Sequence, residues 1–154
     1  MSTKIISNQT EPRILAIPGT VFNIKVTAAE SNNSIVVADY VALPGSEPPR
    51  HVHSVEDEVF RINEGTVTFF RGDEIIHAEA GDIVFLPKNV PHHFKITSDL
   101  VSGTLMATPA NIEHFFRSLA APFEGITIPP VVPPTEEQLN YFVSQTLKFG
   151  MQFV

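Results

Sequence analysis

The segment HVHSVEDEVFRINEG, residues 51–65, places two of the chain's six histidines one residue apart, just before a run of acidic residues. If residues 51–53 are extended, His51 and His53 point to the same face of the strand, about 6.6 Å apart along it. Neutral imidazole is a good ligand for Fe, Ni, Cu and Zn, and it binds zinc at about 2.0–2.1 Å. The spacing therefore predicts that both rings can close on one metal ion.

The carboxylates that follow these histidines compete for the same ion. Glu58 shares its parity with Phe60 and Ile62 on the next predicted strand, so its side chain is expected to point inward. A buried carboxylate without a partner is costly, and a divalent cation is a suitable partner. Asp57 has the opposite parity and should face solvent, while Glu56 lies in the turn. We therefore predict Glu58 as the third ligand; the alternative is an acidic surface cluster that holds no metal.

A second segment, GDIVFLPKNVPHHFKI at residues 81–96, supplies the fourth predicted ligand. In this segment a turn, a short strand and a proline-flanked loop lead to His92. If His92 faces inward, so do Phe94 and Ile96, whereas His93 faces out. Because His92 is far in sequence from the first pair of histidines, it can join them only through the fold, which makes the combined pattern specific.

The inward positions beside the ligands predict an apolar cavity for a largely apolar or aromatic molecule. Its expected lining is Phe60, Ile62, Phe94 and Ile96. The other histidines are not expected to touch the metal. His77 lies in a predicted strand and His114 falls between the apolar positions of a predicted helix, while His93 has the wrong parity and could serve only at the rim.

Short β-rich runs separated by regular turn signals extend on both sides of these two segments. Pairs such as Pro18-Gly19, Pro44-Gly45 and Gly81-Asp82 mark the turns, and no helical period intervenes. This pattern is typical of an antiparallel sandwich or barrel. The predicted strands are residues 14–17, 20–27, 35–43, 57–62, 65–70, 73–80, 82–87, 92–97 and 100–108.

The C-terminal third has the pattern of two helices joined by a proline-rich connector. Thr108-Pro109 predicts the start of the first helix, and Thr135 to Gln138 has the form of a capping box for the second, which Gly150 ends. The connector at residues 126–134 is expected to be extended, because proline cannot continue a helix. We interpret the two apolar stripes as core or subunit contacts. They consist of Ile112, Phe115, Phe116, Leu119 and Ala120, and of Leu139, Phe142, Val143 and Leu147.

Length and composition limit the class of protein. A chain of 154 residues with 43% hydrophobic and 18% charged residues is expected to form one globular domain with a real core. The net charge of -7 argues against a nucleic-acid or anionic-membrane surface. The lack of cysteine excludes disulfides and thiolate ligands. The N-terminal residues 1–13 are polar and no apolar run could span a bilayer, so a cytoplasmic location is expected.

A homodimer is expected from the amount of apolar surface. The chain carries twelve phenylalanines, two amphipathic helix patterns and an apolar run at residues 14–17. This is more apolar surface than one small barrel uses in its own core. A surplus of this kind normally forms a subunit interface.

Two spaced motifs resemble those of the cupin superfamily. The first is fitted without a gap by Gly45-x5-His51-x-His53-x4-Glu58-x6-Gly65, and the spacing of the second is fitted by Gly81-x5-Pro87 followed by His92. The match covers about residues 35–108, and PPRHVHSVEDEVF with the two-helix tail looks most like small quercetin-dioxygenase-related cupins. The resemblance implies an all-β, double-stranded β-helix (jelly-roll) barrel over about residues 14–108 and a C-terminal two-helix tail over about residues 109–154. Both would belong to a single domain of residues 1–154.

The resemblance also implies a cofactor and an activity. One divalent transition metal would be held by His51, His53, Glu58 and His92, and these ligand types do not choose among Fe, Mn, Ni, Co, Cu and Zn. Four protein ligands leave one or two coordination positions open, which is the condition for chemistry. The implied reaction is oxidative cleavage of a small flavonol- or diketone-like molecule, with Glu58 accepting a proton. The alternatives are a metal-dependent isomerase or lyase and a non-catalytic small-molecule-binding cupin.

The chain departs from the second motif at two positions. Asn89 stands where the motif has glycine, which is a mild change because asparagine tolerates left-handed backbone better than most residues. Ile96 stands where the motif has asparagine, so a polar group near the barrel wall is missing. The second departure bears on the substrate and leaves the metal prediction unchanged.

Overall fold

Twelve short strands and two helices make up the regular structure of residues 11–154, the part of the chain described by a computed structural model. Residues 1–10, most of the polar N-terminal stretch, lie outside the described part. The strands are β1 (Ile14–Ile17), β2 (Thr20–Val26), β3 (Val36–Ala42), β4 (His51–His53), β5 (Asp57–Glu64), β6 (Thr66–Arg71), β7 (Glu74–Glu79), β8 (Ile83–Leu86), β9 (His92–Ile96), β10 (Val101–Thr108), β11 (Ala121–Pro122) and β12 (Met151–Phe153). The helices are α1 (Asn111–Leu119) and α2 (Glu136–Lys148).

The strands form two sheets in which strands far apart in sequence lie side by side. One sheet has the order β11-β1-β2-β3-β10-β5-β8, and the other has the order β12-β4-β9-β6-β7. All of the paired strands run antiparallel, including the sequence-distant pairs β3 with β10 and β6 with β9. This double-sheet, crossed-over topology is that of a jelly roll. The predicted all-β jelly-roll barrel with a C-terminal helical tail is confirmed.

Period-2 burial explains why these segments form strands. In β3 and β10 alternate residues are buried, as expected for strands with one face on the core. The inward side chains of both sheets meet between them, and each fully buried large apolar side chain contributes about 1.5–3 kcal/mol. The largest members of this core are Phe22, Tyr40, Phe60, Ile62, Phe69, Leu86, Ile96 and Leu105. Each predicted strand segment overlaps a strand of the structure.

The predicted start of the first helix is wrong. Helix α1 begins at Asn111, and its N-cap is Ala110, which makes no side-chain capping hydrogen bond. Thr108 is instead the last residue of β10, where it pairs with Asp57. Its hydroxyl donates a hydrogen bond to the carbonyl of Ser34 at 2.9 Å. Strand pairing and this bond occupy Thr108, so it cannot cap the helix.

The second helix begins and ends as predicted. The backbone N–H of Gln138 donates to the Thr135 hydroxyl at 3.2 Å, and the Thr135 N–H donates to the Gln138 side-chain oxygen at 2.9 Å. These two bonds complete the capping box. Gly150 follows the helix with a φ of 77°, a left-handed value that suits glycine. The chain then turns back, and β12 pairs with β4, so the C-terminal segment lies directly beside the strand that carries His51 and His53.

The apolar stripe of α2 is divided between the interior and the surface. Phe142 lies against Phe115 and Phe153, with ring centroids 6.0 Å and 5.6 Å apart. The remaining stripe residues, Leu139, Val143 and Leu147, are exposed. Within residues 11–154, neither helix has the length and apolar character needed to cross a membrane.

Candidate metal centre

The four predicted ligands come together between the two sheets. His51 and His53 lie on β4 and are both buried, while Val52 between them points the other way. His92 lies directly opposite His51 in the pairing of β4 with β9. Glu58 enters from β5 of the other sheet and is also buried. One ligand atom from each of the four residues lies within 4.8 Å of the other three.

Two hydrogen bonds hold the loop that presents His92. The backbone N–H of Asn89 donates to the carbonyl of His53 at 2.8 Å, which ties the loop to the first histidine pair. The N–H of Lys88 donates to the Asp57 carboxylate, also at 2.8 Å. Asn89 has a φ of 64°, which places it in the left-handed region where the sequence motif has glycine. The substitution at this position is therefore accommodated by the backbone.

The hydrogen bonds on the outer side of each ring fix which nitrogen faces the centre. Nδ1 of His51 lies 2.8 Å from the Pro49 carbonyl, and Nδ1 of His92 lies 3.0 Å from the Val90 carbonyl. Carbonyl oxygens only accept, so both Nδ1 atoms carry the hydrogen and both Nε2 atoms offer a lone pair. Nδ1 of His53 faces an oxygen as well, at the Glu56 carboxylate. Three Nε2 atoms consequently point at one place.

The distances around that place suit a single metal ion. Nε2 of His51 and Nε2 of His53 are 3.1 Å apart, and Oε2 of Glu58 lies 3.2 Å from Nε2 of His92 and 3.5 Å from Nε2 of His53. Donors about 2.0–2.2 Å from one ion are separated by about 3.0–3.5 Å. The buried Nε2 of His92 has no hydrogen-bond partner among the described residues. The lone pairs on these facing nitrogen and oxygen atoms repel one another unless a proton or a metal cation lies between them. The spacing of the four residues fits one metal ion.

The electrostatics of the cluster favour a cation. Burial lowers the pKa of His51 to about 4, because apolar surroundings disfavour an imidazolium. Burial also opposes a charge on His53, but the carboxylates of Glu58 and Glu56 outweigh it and raise the pKa of His53. For Glu58, burial acts to raise the pKa, but the rings of His53 and His92 outweigh that effect and lower the pKa. These two directions mean that the Glu58 carboxylate favours its ionised form and that a positive charge is stabilised next to it, at His53.

The two competing carboxylates occupy different environments. Asp57 is half-buried and faces outward, as its parity predicts, and its carboxylate accepts from the Lys88 N–H. Glu56 lies in the turn before β5, but its side chain is only 1% exposed. It contacts the outer side of His53 and the amide of Asn111. The sequence placed Glu56 in the turn as a competing ligand, but neither its contact with the outer side of His53 nor its contact with Asn111 was predicted. The sequence signal that could have predicted the contact with His53 is the position of Glu56, three residues after His53.

The predicted pocket residues lie along the same strands as the ligands. Phe60 follows Glu58 by two positions, and Phe94 follows His92 by two positions. Their rings contact each other at 5.8 Å between centroids, and both contact Phe69. Ile62 and Ile96 are buried farther along and belong to the main core. A cavity of about 270 Å³ lies elsewhere, between β6 and β7, where Thr68, His77 and Glu79 are among the residues that line it.

The remaining histidines stay away from the centre, as the sequence predicts. His77 is exposed, and its Nδ1 lies 3.0 Å from the hydroxyl of Thr68. His114 is exposed on α1. His93 points away from the other three rings and stacks on Phe70, with centroids 4.4 Å apart and planes nearly parallel. None of the three belongs to the four-residue cluster.

At the position with isoleucine in place of the motif asparagine, the backbone is held by a carboxylate. The backbone N–H of Ile96 donates to Oε1 of Glu47 at 2.7 Å, and Oε2 of Glu47 accepts from the N–H of Gly45 at the same distance. Strand β4 pairs with β9 at His51 and His92. Farther along β9, the Glu47 carboxylate accepts the Ile96 N–H in place of a partner from β4.

Comparison with known proteins finds a matching family model and a curated relative. Residues 40–102 match the family model described as a cupin domain. Over 107 residues the chain is 27% identical to quercetin 2,3-dioxygenase of Bacillus subtilis (strain 168). That alignment covers 68% of this chain and 32% of the enzyme, so the chain spans about a third of the length of that relative.

Solved structures share the fold at low sequence identity. KdgF from Halomonas sp. matches with a TM-score of 0.53 and 15% identity, over 60% of this chain and 81% of that one. A protein with a double-stranded β-helix domain from Klebsiella pneumoniae matches with a TM-score of 0.51 and 21% identity, over 62% and 84% of the two chains. An oxalate decarboxylase variant from Bacillus subtilis matches with a TM-score of 0.54 and 19% identity, over 65% and 28%.

Proposed function

Because the chain belongs to the cupin superfamily, we propose that it binds one divalent transition metal in the centre between its two sheets. The proposed ligands are His51, His53, Glu58 and His92. The observation that carries the proposal is the convergence of three imidazole nitrogens and the buried Glu58 carboxylate within 4.8 Å of one another, with no hydrogen bond made by Nε2 of His92 within the described part of the chain. Fe, Mn, Ni, Co, Cu and Zn all accept imidazole and carboxylate ligands.

We propose that the metal centre makes the chain a dioxygenase for a small apolar or aromatic molecule of the flavonol or diketone kind. The curated relative named above is a dioxygenase, and its similarity to this chain supports the proposal. A metal with four protein ligands retains one or two open positions and can act as a Lewis acid toward an oxygen of the substrate. The apolar side chains beside the ligands would exclude water from that oxygen.

Glu58 is the group that we propose to move the proton. Its carboxylate is ionised and buried, so it can accept the hydroxyl or enol proton of a bound substrate. Cleavage of a carbon–carbon bond would then place both atoms of dioxygen in the products. Dioxygen is the oxidant and the substrate supplies all four electrons, so no further reductant is needed. His51, His53 and His92 would keep their positions through the two backbone carbonyls and the carboxylate on their outer sides.

The pocket residues remain a proposal, and one feature of the barrel favours an alternative. Phe60 and Phe94 pack against each other beside the ligands, and Ile62 and Ile96 fill the interior beyond them. A molecule of flavonol size would have to displace the two rings, whereas a smaller molecule could bind at the ligand end alone. This packing favours, as the second candidate, a metal-dependent isomerase or lyase or a non-catalytic binder of a small ligand.

Oxygen uptake separates these candidates. We expect the chain reconstituted with each of Fe, Mn, Ni, Co, Cu and Zn to consume dioxygen with at least one member of a panel of flavonols and diketones, in proportion to substrate consumed. The His53→Ala variant is the control for uptake that does not need the metal centre. Stabilisation of the chain by a panel member without any turnover would instead identify a binder and overturn the dioxygenase proposal.

A homodimer is expected in solution. The exposed apolar residues include Leu139, Val143 and Leu147 on α2 and Ile83 and Phe85 on β8, which is an edge strand of the larger sheet. Surfaces of this kind commonly form subunit contacts. Light scattering at micromolar concentration should give twice the 17.0 kDa of one chain. A mass equal to one chain would contradict the expectation.

Three broader predictions also remain proposals. Residues 1–154 are proposed to work as a single cupin domain, which the pairing of C-terminal β12 with barrel strand β4 supports. We propose that the chain binds a small molecule and neither nucleic acid nor a membrane, because its net charge of -7 disfavours anionic partners. The proposed location is the cytoplasm.

A further inference from the structure

Glu56 is a buried carboxylate that lies outside the proposed set of metal ligands. Its side chain is 1% exposed, so both of its oxygens need partners in the protein. Oε2 lies 3.1 Å from Nδ1 of His53, and Oε1 accepts a hydrogen bond from the amide of Asn111 at 2.7 Å. Glu56 thus meets His53 on the side of the ring opposite to the nitrogen that faces the centre. In this position it can act on the metal only through His53.

Asn111 holds the Glu56 carboxylate in one orientation. It is the first residue of α1, and its amide nitrogen donates to Glu56 and, at 3.0 Å, to the backbone carbonyl of Phe149. Both amide hydrogens therefore have an acceptor. Reversing the amide would aim its oxygen at the Phe149 carbonyl and at the Glu56 oxygen, which would be repulsive. The result is a fixed chain of hydrogen bonds from Phe149, at the end of α2, to the imidazole of His53.

We propose that Glu56, oriented by Asn111, is a positioning residue that holds His53 with its hydrogen on Nδ1 and thereby strengthens metal binding at Nε2. This inference rests on the proposed function, because it presumes that the centre binds a metal. His51 and His92 use backbone carbonyls for the same purpose, whereas His53 alone uses a side-chain carboxylate. A carboxylate is the stronger acceptor, and such outer partners fix the tautomer of a histidine ligand and raise its basicity.

Glu56→Gln should disrupt this arrangement without changing the size of the side chain. Glutamine offers one acceptor and one donor, but the site presents two donors, the Nδ1–H of His53 and the amide of Asn111. If the glutamine nitrogen faces His53, the ring must move its hydrogen to Nε2, where the metal would bind. If it faces Asn111, two donors oppose each other and the side chain is displaced. Either outcome should weaken metal binding by about 10- to 100-fold.

Two other carboxylates provide matched controls, one beside Glu58 and one on α1. Asp57→Asn is the same chemical change one position away, but the Asp57 carboxylate receives only the Lys88 N–H, which an amide oxygen can also accept. Glu113→Gln changes a buried carboxylate on α1 whose partners are the Ala28 N–H and Arg117, remote from the ligands. The first controls for local charge, and the second controls for a general loss of stability.

The experiment is a competition titration of the full chain with Zn²⁺ against a chelator, together with ¹⁵N NMR of the histidine rings before and after Zn²⁺ is added. We expect Glu56→Gln to lose about 10- to 100-fold in affinity and to lose the Nδ1–H signal pattern of His53. Asn111→Ala should show a loss in the same direction. Asp57→Asn and Glu113→Gln should retain the wild-type affinity and the wild-type His53 pattern, even if Glu113→Gln melts at a lower temperature.

The outcomes distinguish this inference from the proposed function. A wild-type chain that takes up no Zn²⁺ or other divalent transition metal would overturn the metal centre and this inference with it. A wild-type chain that binds Zn²⁺, with Glu56→Gln within about twofold of it and with His53 unchanged, would overturn this inference alone. An equal loss of affinity in Glu113→Gln would also overturn it, because affinity would then follow general stability.

Discussion

Replacing His51, His53 or His92 by alanine should reduce metal content from about one equivalent per chain to less than about a tenth of an equivalent. Each change removes one of three Nε2 donors that converge with the Glu58 carboxylate. The two remaining imidazoles and the carboxylate still offer three donors, but alanine leaves the fourth position to water, so we expect the ion to be held too weakly to survive desalting. Elemental analysis after reconstitution and desalting measures the loss directly, and circular dichroism establishes that each variant retains its β-sheet.

His114→Ala is the matched control for these three variants. His114 is exposed on α1 and lies outside the four-residue cluster, so its removal should leave the metal content unchanged. Metal lost on His114→Ala would mean that the ion binds at the surface. A wild-type chain with less than about a tenth of an equivalent of every candidate metal, even after reconstitution, would refute the centre itself.

Glu58→Gln is expected to separate the two roles that we propose for Glu58. Glutamine keeps the size of the side chain and an oxygen that can still bind a metal, so occupancy should fall only in part. The amide cannot accept a proton, and the loss of a general base typically lowers the rate by about 10²–10⁴. Metal content and turnover therefore need to be measured separately, with the substrate that gives oxygen uptake. Equal turnover in the wild type and Glu58→Gln would leave Glu58 as a ligand at most.

Asp57→Asn is the control for the position of Glu58 on its strand. Glu58 pairs with Ala107 and Leu86, and it points between the sheets, whereas Asp57 points outward to the Lys88 N–H. An asparagine oxygen can accept the same hydrogen bond, so neither metal content nor turnover should change. Loss of metal in Asp57→Asn would mean that strand β5 is shifted by one residue and that the opposite set of side chains faces the centre.

The local pattern was sufficient to predict which side chains face inward. In an extended strand alternate side chains share a face, so the inward position of Glu58 follows from its spacing to Phe60 and Ile62, and that of His53 from its spacing to His51. The same rule placed His93 outward. The capping box of α2 is equally local, because its two hydrogen bonds connect residues three positions apart.

The start of α1 was predicted incorrectly because a long-range interaction decided it. Thr108 followed by proline has the local form of a helix start, but the pairing of β10 with β5 extends through Thr108. Sheet pairing between residues about fifty positions apart is invisible to any local pattern. The tertiary structure therefore moved the beginning of the helix to Asn111, which places the Asn111 amide beside Glu56.

By itself, the sequence determined the period-2 strands, the turns between them and the choice of the four predicted ligand residues, since these depend on spacing along one chain. Only the tertiary structure decided that His92 meets His51 across β4 and β9, that β12 returns to pair with β4, and that Glu56 is buried against His53. An acidic residue in a turn is expected to face solvent, and its burial depends on partners that a distant segment provides. For Glu56 that partner is Asn111, 55 positions later in the chain, which the packing of α1 against the barrel brings within hydrogen-bonding distance.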